Sequence, residues 1–420
     1  MAADLLDVAD RLWRGELDIA DHHPFDHWGD LVELGADLAF VAAFANVSAL
    51  STSEGLVLVD TSSPFLASRV HDVLRAWSDR PLHTAVFTHG HIDHVFGVDL
   101  YEADAEATGA PRPRVVAHEA IGARFDRYKA TAGYNAIVNR RQFQMARLVW
   151  PTKYRYPDET YRSELVLKIG DERIELQHAR GETDDHTWVW LPDRKVLCTG
   201  DLFIWASPNC GNPQKVQRYA LEWARALRTM ARLGAETLLP GHGLPILGAA
   251  RVRESLTDAA ELLESLHDQT LAMMNAGARL DEIVHTVRAP AALIAKPYLR
   301  PVYDEPEFVV RNIWRLYGGW YDGNPANLKP APDSAVAAEL AALAGGAGRL
   351  ATRARELAAA GELRLAGHLA EWAALAAPDD PDTRRARADV NEQRATAEAS
   401  TMSKGIFSWA AAEFRDRAGT

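Results

Sequence analysis

The chain has 420 residues, of which 47% are apolar and 25% are charged, and its net charge is −12. This composition is typical of a globular protein with more than one domain, and the negative charge argues against nucleic acid as the main partner because phosphate contacts need clustered Lys and Arg. With two cysteines, Cys198 and Cys210, no disulfide framework is expected. No segment is long and apolar enough to span a bilayer, and the acidic N-terminus is unlike a signal peptide, so we expect a cytoplasmic protein.

The first 250 residues alternate between strand and helix patterns. The apolar run Leu56–Asp60 predicts a strand, the spacing within Pro64–Trp77 predicts a helix, and Leu82–Thr88 predicts a buried strand. This order is typical of a βαβ unit and hence of an α/β fold. The later patterns predict strands at Leu165–Ile169, Arg173–Gln177, Thr187–Leu191, Lys195–Thr199 and Glu236–Leu239, and a helix at Gln214–Leu233.

After about residue 250 the strand patterns fade and helical patterns replace them. We expect helices at Arg251–Asn275 and at Glu307–Tyr317, where Pro306 suits the first helical position. Beyond Pro332 the chain is rich in Ala, Glu, Leu and Arg, a composition that predicts helical hairpins. Disorder is the alternative for this region, but the helical spacing of Leu363, Leu365, Leu369, Trp372 and Leu375 favours a buried face.

Six residues carry the strongest chemical signal, the run His89-Gly90-His91-Ile92-Asp93-His94 at the end of the predicted strand Leu82–Thr88. Residues two apart on a strand lie on one side, so His89 and His91 can bind one metal ion together. If the chain then turns into a helix, Asp93 and His94 can face a second ion. A buried core histidine beside surface charge would explain one of these residues but not the whole pattern. We therefore interpret the run as half of a two-metal site.

The remaining ligands of such a site must come from other strand ends. Glu182 lies in the turn Gly181–Thr183, Asp201 follows the run Lys195–Gly200, and His242 lies in Pro240-Gly241-His242-Gly243. Each of these residues alone is weak evidence for a metal site, because polar residues are common in solvated turns. Together with His89–His94 they have the number and type that a dinuclear site needs.

These motifs resemble those of metallo-β-lactamase-fold hydrolases. The resemblance covers roughly residues 35–250 and rests on Asp60 at a strand end, the His-x-His-x-Asp-His run, Thr199-Gly200-Asp201 and Pro240-Gly-His-Gly243. It implies an αββα sandwich with the metal ions at one edge of two sheets. One departure is informative, because the family usually has a His where this chain has Glu182.

A Glu at this position resembles the alkylsulfatase branch of the fold family. The segment Glu307–Pro325 resembles the link between the catalytic and dimerisation domains of that branch, and the helical hairpins that follow resemble the dimerisation domain. The resemblance implies a catalytic domain at 1–288, an all-α dimerisation domain at 289–420, and a homodimer formed through the second domain.

By the same resemblance, each metal ligand has an assigned place. His89, His91 and Glu182 would bind the first ion, Asp93, His94 and His242 the second, and Asp201 both. Asp60 is expected to orient a histidine ring from behind. His186 could replace Glu182, although we favour Glu182 and expect His186 behind the ligands or facing the substrate. Two zinc ions are expected, with iron or manganese as alternatives.

The predicted reaction is hydrolysis of a small-molecule ester by a hydroxide that bridges the two ions, with Asp93 or Asp201 orienting that hydroxide. An alkyl sulfate is the preferred substrate, although the chain lacks the His that secondary alkylsulfatases carry after the bridging residue and has Asp201 where they have Glu. The alternatives are another bond (a lactone, thioester, β-lactam or phosphodiester) or a non-catalytic binding scaffold. The side chains that could bind the sulfate oxygens are Arg140, Arg141, Asn209, Asn212, Lys215 and Arg218, each of which could instead be a solvated surface residue.

Overall fold

A computed structural model of the chain describes residues 5–416, with side chains up to residue 412. The described residues divide into two compact units. The first unit holds residues 5–132 and Pro151–Gly319, and the second holds Gly133–Trp150 and residues 320–416. Both sheets lie in the first unit, and the second unit is helical. The predicted domain boundary at residue 288 stays a prediction.

Seven strands form the first sheet in their chain order. They are β1 (Asp30–Glu33), β2 (Leu38–Ala42), β3 (Val47–Thr52), β4 (Gly55–Val59), β5 (Leu82–Val86), β6 (Arg114–His118) and β7 (Glu159–Tyr161). Strands β1 to β4 pair antiparallel, and β4 to β7 pair parallel. Strands β2, β3 and β4 are buried along their whole length, as expected for strands covered on both faces.

Six strands form the second sheet, in the order β13-β12-β11-β10-β9-β8. They are β8 (Glu164–Ile169), β9 (Glu172–His178), β10 (Thr187–Leu191), β11 (Val196–Ile204), β12 (Thr237–His242) and β13 (Ile246–Leu247). The pair β11 and β12 is parallel, and the other neighbours are antiparallel. The two sheets face each other across an apolar interior, where Leu50 and Val57 of the first sheet meet Ile174, Leu191 and Cys198 of the second.

The described residues also form 16 α-helices, of which several in the first unit pack against the two sheets. The helices are α1 (Leu5–Trp13), α2 (Ala67–Trp77), α3 (Val98–Thr108), α4 (Ile121–Ala130), α5 (Ala132–Phe143), α6 (Ala220–Met230), α7 (Ala249–Asn275), α8 (Leu280–Thr286), α9 (Ala291–Ile294), α10 (Pro306–Gly318), α11 (Pro325–Leu328), α12 (Asp333–Ala344), α13 (Ala347–Ala359), α14 (Leu363–Ala376), α15 (Pro381–Ala397) and α16 (Thr401–Asp416), with a 3₁₀ turn at Pro297–Leu299. Helices α2 and α3 bury Val70, Leu74 and Val98 against the first sheet, and α6 and α7 pack on the second. The predicted αββα sandwich is therefore confirmed.

The second unit is built from helical hairpins with small residues at their contacts. Helices α13, α14 and α15 share a core that contains Ala354, Ala366, Ala370 and Val390. Alanine combines high helix propensity with a small side chain, so this composition supports helices that pack closely. The turn between α12 and α13 uses Gly345 in the left-handed conformation, which is the usual way for a helix to end at glycine. The predicted all-α hairpin region is confirmed.

Among the predicted element boundaries that differ from the structure, two concern the site. Helix α6 begins at Ala220 rather than Gln214, because residues 214–219 belong to a loop whose polar groups bind other parts of the first unit. Strand β11 continues to Ile204, so Asp201 lies within this strand and not after it. Within residues 5–416, no helix combines the length and the hydropathy that crossing a membrane requires.

Candidate metal centre

The ends of β4 and β5 place Asp60 and His94 side by side. Asp60 follows β4 in the left-handed region, with a φ of 62°, a strained conformation that a functional position can hold. Its carboxylate accepts hydrogen bonds from Thr88 N (2.7 Å), Thr88 Oγ1 (2.8 Å) and His94 Nδ1 (2.7 Å). The imidazole of His94 is thereby oriented, and its Nε2 points away from Asp60. This arrangement is the one expected of a carboxylate behind a metal-binding histidine.

One group of possible ligands consists of His89, His91, Glu182 and Asp201, whose ligand atoms all lie within 4.8 Å of one another. His89 Nε2 and His91 Nδ1 are 2.8 Å apart. Glu182 Oε2 lies 3.5 Å from each of these nitrogens. His91 and His89 approach from the loop after β5, Glu182 from the loop between β9 and β10, and Asp201 from β11. Two nitrogens and two oxygens therefore converge on one point.

A second group consists of Asp93, His94 and His242. The Asp93 carboxylate lies 3.7 Å from His94 Nε2 and 3.6 Å from His242 Nε2. Asp201 adjoins both groups, since its oxygens lie 3.3 Å from His94 Nε2, 3.2 Å from His242 Nε2 and 3.8 Å from His89 Nε2. The structure thus brings together all seven predicted ligands, with Asp201 between the two groups.

Two glycines beside Asp201, Gly200 and Gly241, allow the surrounding chain to pack closely against this residue. Gly241 on β12 faces the Asp201 carboxylate so closely that any Cβ would collide with it. Gly200 has a φ of 49°, and a Cβ there would lie 2.7 Å from Thr88. Both positions therefore require glycine. The turn after β12 is further held by Asn46, whose Nδ2 donates to Pro240 O and Gly243 O on either side of His242.

The electrostatics of the site suit a cation. Burial and the neighbouring imidazoles hold the pKa of His89 well below its usual value. Although burial lowers the pKa of His94, the carboxylates of Asp201, Asp60 and Asp93 raise it well above its usual value. Burial also raises the pKa of Asp201, but the imidazoles of His242 and His94 lower it well below its usual value.

Among the described buried atoms that have no hydrogen-bond partner are three of the possible ligand atoms, namely His94 Nε2, Glu182 Oε2 and Asp201 Oδ1. Unsatisfied buried polar atoms are costly and rare in folded proteins. Here all three atoms belong to the two groups of possible ligands, and imidazole nitrogen and carboxylate oxygen are atoms that bind zinc and related divalent ions. The residues present therefore fit a pair of bound metal ions.

Two residues that the sequence offered for substrate binding contact Glu182 instead. Arg218 Nη1 lies 2.8 Å from Glu182 Oε1, and Asn209 Nδ2 also donates to this oxygen. Arg218 and Glu182 are both almost fully buried. Their contact leaves Oε2 as the oxygen that faces His89 and His91. Burial raises the pKa of Glu182 well above its usual value, against the opposite effect of the Arg218 guanidinium.

Sequence reasoning missed the buried pair formed by Arg124 and Asp185. Arg124 on α4 donates through Nε to Asp185 Oδ1 at 2.8 Å, and Asp185 Oδ2 accepts from Gly90 N at 2.9 Å. The pair ties the loop that carries Glu182 to the loop that carries His89 and His91. The adjacent acidic residues Asp184 and Asp185 were visible in the sequence, but no pattern indicated a partner 60 residues away.

The remaining residues that the sequence offered, beyond the seven possible ligands, lie in different parts of the structure. The ring of His186 stacks on His89 with centroids 4.7 Å apart, and its Nδ1 donates to Thr187 O, so it lies behind the two groups of ligands rather than within them. Asn212 is buried and accepts from Gln214 N, and Lys215 is half-buried. Arg140 and Arg141 belong to α5 in the second unit, and their predicted role stays a prediction.

Family models agree with this architecture. The metallo-β-lactamase superfamily model matches residues 41–242, and the alkyl sulfatase dimerisation model matches residues 279–417. The chain combines a metallo-β-lactamase domain with an alkyl sulfatase dimerisation domain. The predicted resemblance to the alkylsulfatase branch is therefore confirmed, and the first 41 residues of the dimerisation match, up to Gly319, lie within the first compact unit.

The chain is also similar to named alkylsulfatases over most of its length. The chain is 29% identical over 351 residues to a linear primary-alkylsulfatase of Pseudomonas sp. (strain ATCC 19151), covering 77% of the chain and 64% of the relative. It is 28% identical over 401 residues to an (R)-specific secondary-alkylsulfatase of Pseudomonas sp., covering 88% of the chain and 60% of the relative. The solved stereoselective inverting sec-alkylsulfatase Pisa1 from Pseudomonas sp. superposes with a TM-score of 0.83 at 26% identity, covering 92% of this chain and 66% of that one. The chain thus spans less than two thirds of the length of these relatives.

Proposed function

We propose that this metallo-β-lactamase-fold chain is a metal-dependent hydrolase of alkyl sulfate esters. The observation that carries the proposal is the convergence of seven buried or half-buried His, Asp and Glu side chains in two adjoining groups. The names of the relatives support sulfate esters as the substrate class. A catalytic role is favoured over a binding scaffold because every expected ligand position holds a ligand-type side chain.

In this proposal two divalent ions, zinc by preference, occupy the two groups. His89, His91 and Glu182 would bind one ion, Asp93, His94 and His242 would bind the other, and Asp201, which adjoins both groups, would contribute to both. Iron or manganese would also suit these nitrogen and oxygen ligands. When bound, the ions would lower the pKa of a water molecule so that hydroxide exists at neutral pH, and would neutralise charge on the substrate.

The protein side chains orient the reactants. Asp93 is the more exposed of the two carboxylates that adjoin the second group, with 20% of its side chain accessible against 6% for Asp201. It can therefore accept a hydrogen bond from the attacking water on the open side of the site, and take its proton. Asp60 keeps His94 in one orientation and one tautomer throughout, because its carboxylate accepts from Nδ1.

Lys215 and Asn212 are the side chains that we assign to the sulfate group. Burial and the Arg218 guanidinium lower the pKa of Lys215 to about 8. Because this value is still above 7, the ammonium group stays charged at neutral pH and can bind an anionic oxygen. Arg218 and Asn209 are occupied by Glu182, and we assign them to that ligand and not to the substrate.

The test is an activity panel on the zinc-loaded full chain, with release of inorganic sulfate from linear primary and secondary alkyl sulfates as the readout. The same preparation is offered a lactone, a thioester, a β-lactam and a phosphodiester. We expect sulfate release that disappears after chelation and returns with zinc. Turnover of one of the other substrates without sulfate release would replace the sulfate ester by that bond. Less than one metal ion per chain after loading would refute the hydrolase itself.

We also propose that the chain is a homodimer. The support is the match of residues 279–417 to the alkyl sulfatase dimerisation model and the exposure of large apolar side chains in the second unit, among them Leu343 and Leu365. Light scattering on the full chain should give twice the mass of 46.3 kDa. A monomer at micromolar concentration would contradict this assignment.

A further inference from the structure

The loop between β11 and α6, residues 205–219, is held in place by contacts with helix α10 and with the residues just before it. Gly211 in this loop lies so close to the backbone of Phe308 and Val309 that any Cβ would collide with it. Its N–H donates to the buried carboxylate of Asp304 at 2.5 Å, and Ser207 N donates to Arg300 O at 3.0 Å. The loop that carries Asn209 and Arg218 is therefore held from outside by the segment around α10.

Asn312 of α10 makes the most specific of these contacts. Its Nδ2 donates to Arg218 O at 2.9 Å, and its Oδ1 accepts from Arg218 N at 3.3 Å. One amide side chain thus binds both backbone polar groups of one residue. Oδ1 also accepts from Gln217 Nε2 at 3.0 Å and from Arg315 Nη2 at 3.1 Å. Asn312 is 5% exposed, so water cannot readily replace these bonds.

Arg218 transmits this constraint to the candidate metal centre. Its Nη1 contacts Glu182 Oε1 at 2.8 Å and also donates to Asn209 O. With Oε1 occupied, Glu182 presents a single oxygen, Oε2, to His89 and His91, 3.5 Å from each. Loss of a group that is hydrogen-bonded to a metal ligand and fixes its orientation commonly lowers metal affinity or activity by about 10- to 100-fold.

We infer that Asn312 is a positioning residue for the first metal ion, acting through Arg218 on Glu182. The inference rests on the proposed function, and it adds that part of the segment matched by the dimerisation model supports the metal centre. The helix would therefore serve the site as well as the assembly. Asn312 touches neither the ligands nor the substrate, so its effect must appear as a change in metal binding.

The experiment measures zinc affinity of the full chain by competition with a chromophoric chelator, for the wild type and for Asn312→Ala. We expect the variant to bind zinc about 10-fold more weakly at one of the two groups, the low end of the effect of losing a group bonded directly to a ligand, because Asn312 acts one contact further out. The visible spectrum of the cobalt-substituted protein should change as well, since Glu182 would no longer be limited to one oxygen. Asn391→Ala is the matched control, because Asn391 is also buried and donates to Arg387 O at 3.0 Å within the second unit.

A second variant guards against a general loss of structure. Asn312→Asp has the same shape and keeps an oxygen for Arg218 N, but loses the N–H that Arg218 O accepts. We expect a loss of zinc affinity at least as large as that of the alanine variant, because a carboxylate oxygen then faces Arg218 O where an N–H donated to it, with an unchanged circular dichroism spectrum. Wild-type affinity and an unchanged cobalt spectrum in both folded variants would overturn the inference, as would failure of both variants to fold. Absence of zinc binding in the wild type would instead refute the proposed function.

Discussion

The two compact units of this chain differ in what they bury. The first unit buries ionisable side chains at the edge of its sheets, among them His89, Arg124, Glu182 and Asp201. In the second unit the buried polar side chains of residues up to 412 are neutral, as with Thr383 and Asn391, and the core is formed largely by alanine. Charged groups appear there in exposed pairs such as Arg355 with Asp382.

The two units therefore differ in how much burial of charged groups lowers their stability. A buried charge loses its hydration, and a partner restores only part of that loss. The first unit is therefore stabilised by its large aliphatic core while it retains charges that destabilise it. Among residues up to 412 the second unit bears less of this cost, because close contacts between alanine-rich helices need few buried polar partners. Arg387, 12% exposed and paired with Glu371, is an exception. We expect substitutions to follow this division, with effects on chemistry confined to the first unit.

The largest expected effect is that of Asp93→Ala on activity. Loss of the partly buried carboxylate removes a proposed ligand that is also proposed to hold the attacking water, so under the proposed function sulfate release should fall by more than about 100-fold. The fold should persist, because Asp93 is 20% accessible. Sulfate release and thermal unfolding are measured beside Asp99→Ala, an exposed carboxylate in the first turn of α3. Full activity in the Asp93 variant would mean that the second ion is misplaced.

The next effect concerns the stability of buried and exposed ion pairs. Arg124→Ala leaves the carboxylate of Asp185 buried without its guanidinium partner, which should lower the free energy of unfolding by about 3–5 kcal/mol. Arg355→Ala breaks the exposed pair with Asp382 in the second unit and should cost less than about 1 kcal/mol. Urea denaturation of both variants tests the contrast. Equal losses would show that the two units bury charge at a similar cost.

A smaller effect depends on pH. Burial raises the pKa of Asp304 from 3.8 to about 7, so between these values the folded state binds a proton that the unfolded state has released. Stability contributed by this group therefore falls as pH rises from 4 to 7. Relative to the wild type, Asp304→Asn should become more stable over this range, by about 1–4 kcal/mol in all. Urea denaturation at pH 4.5, 5.5 and 7 measures the difference, and a constant difference would remove Asp304 as its source.

The smallest effect should come from the second unit. Ala370→Leu inserts a larger side chain where α14 meets its neighbours in a core of small residues. Such overpacking should cost about 1–3 kcal/mol in the free energy of unfolding, with zinc affinity of the full chain unchanged. Chemical denaturation and chelator competition give the two values. A change in zinc affinity would break the division between the units.

Much of the site could be predicted because its residues follow short, local patterns. The run His89–His94 occupies six consecutive positions, and strand ends in an α/β sandwich gather at one edge, so Glu182 and His242 could be assigned from their turns. The prediction failed for residues 214–219, where helical spacing in the sequence competes with tertiary contacts. There the backbone of Arg218 binds the side chain of Asn312, and helix α6 begins only at Ala220.

The amino-acid sequence by itself determined an α/β region followed by an alanine-rich helical region, and the set of seven possible ligands, whereas the αββα class came from the resemblance of its motifs to a known family. These depend on hydrophobic periodicity and on spacing over a few residues, which any reader of the chain can see. Only the tertiary structure decided that Arg218 contacts Glu182 and that Arg124 contacts Asp185. It alone also decided that α10 contacts the loop of residues 205–219. Such pairings join residues 36 to 94 positions apart, and no local pattern encodes them because they arise from the path that the folded chain takes through the interior.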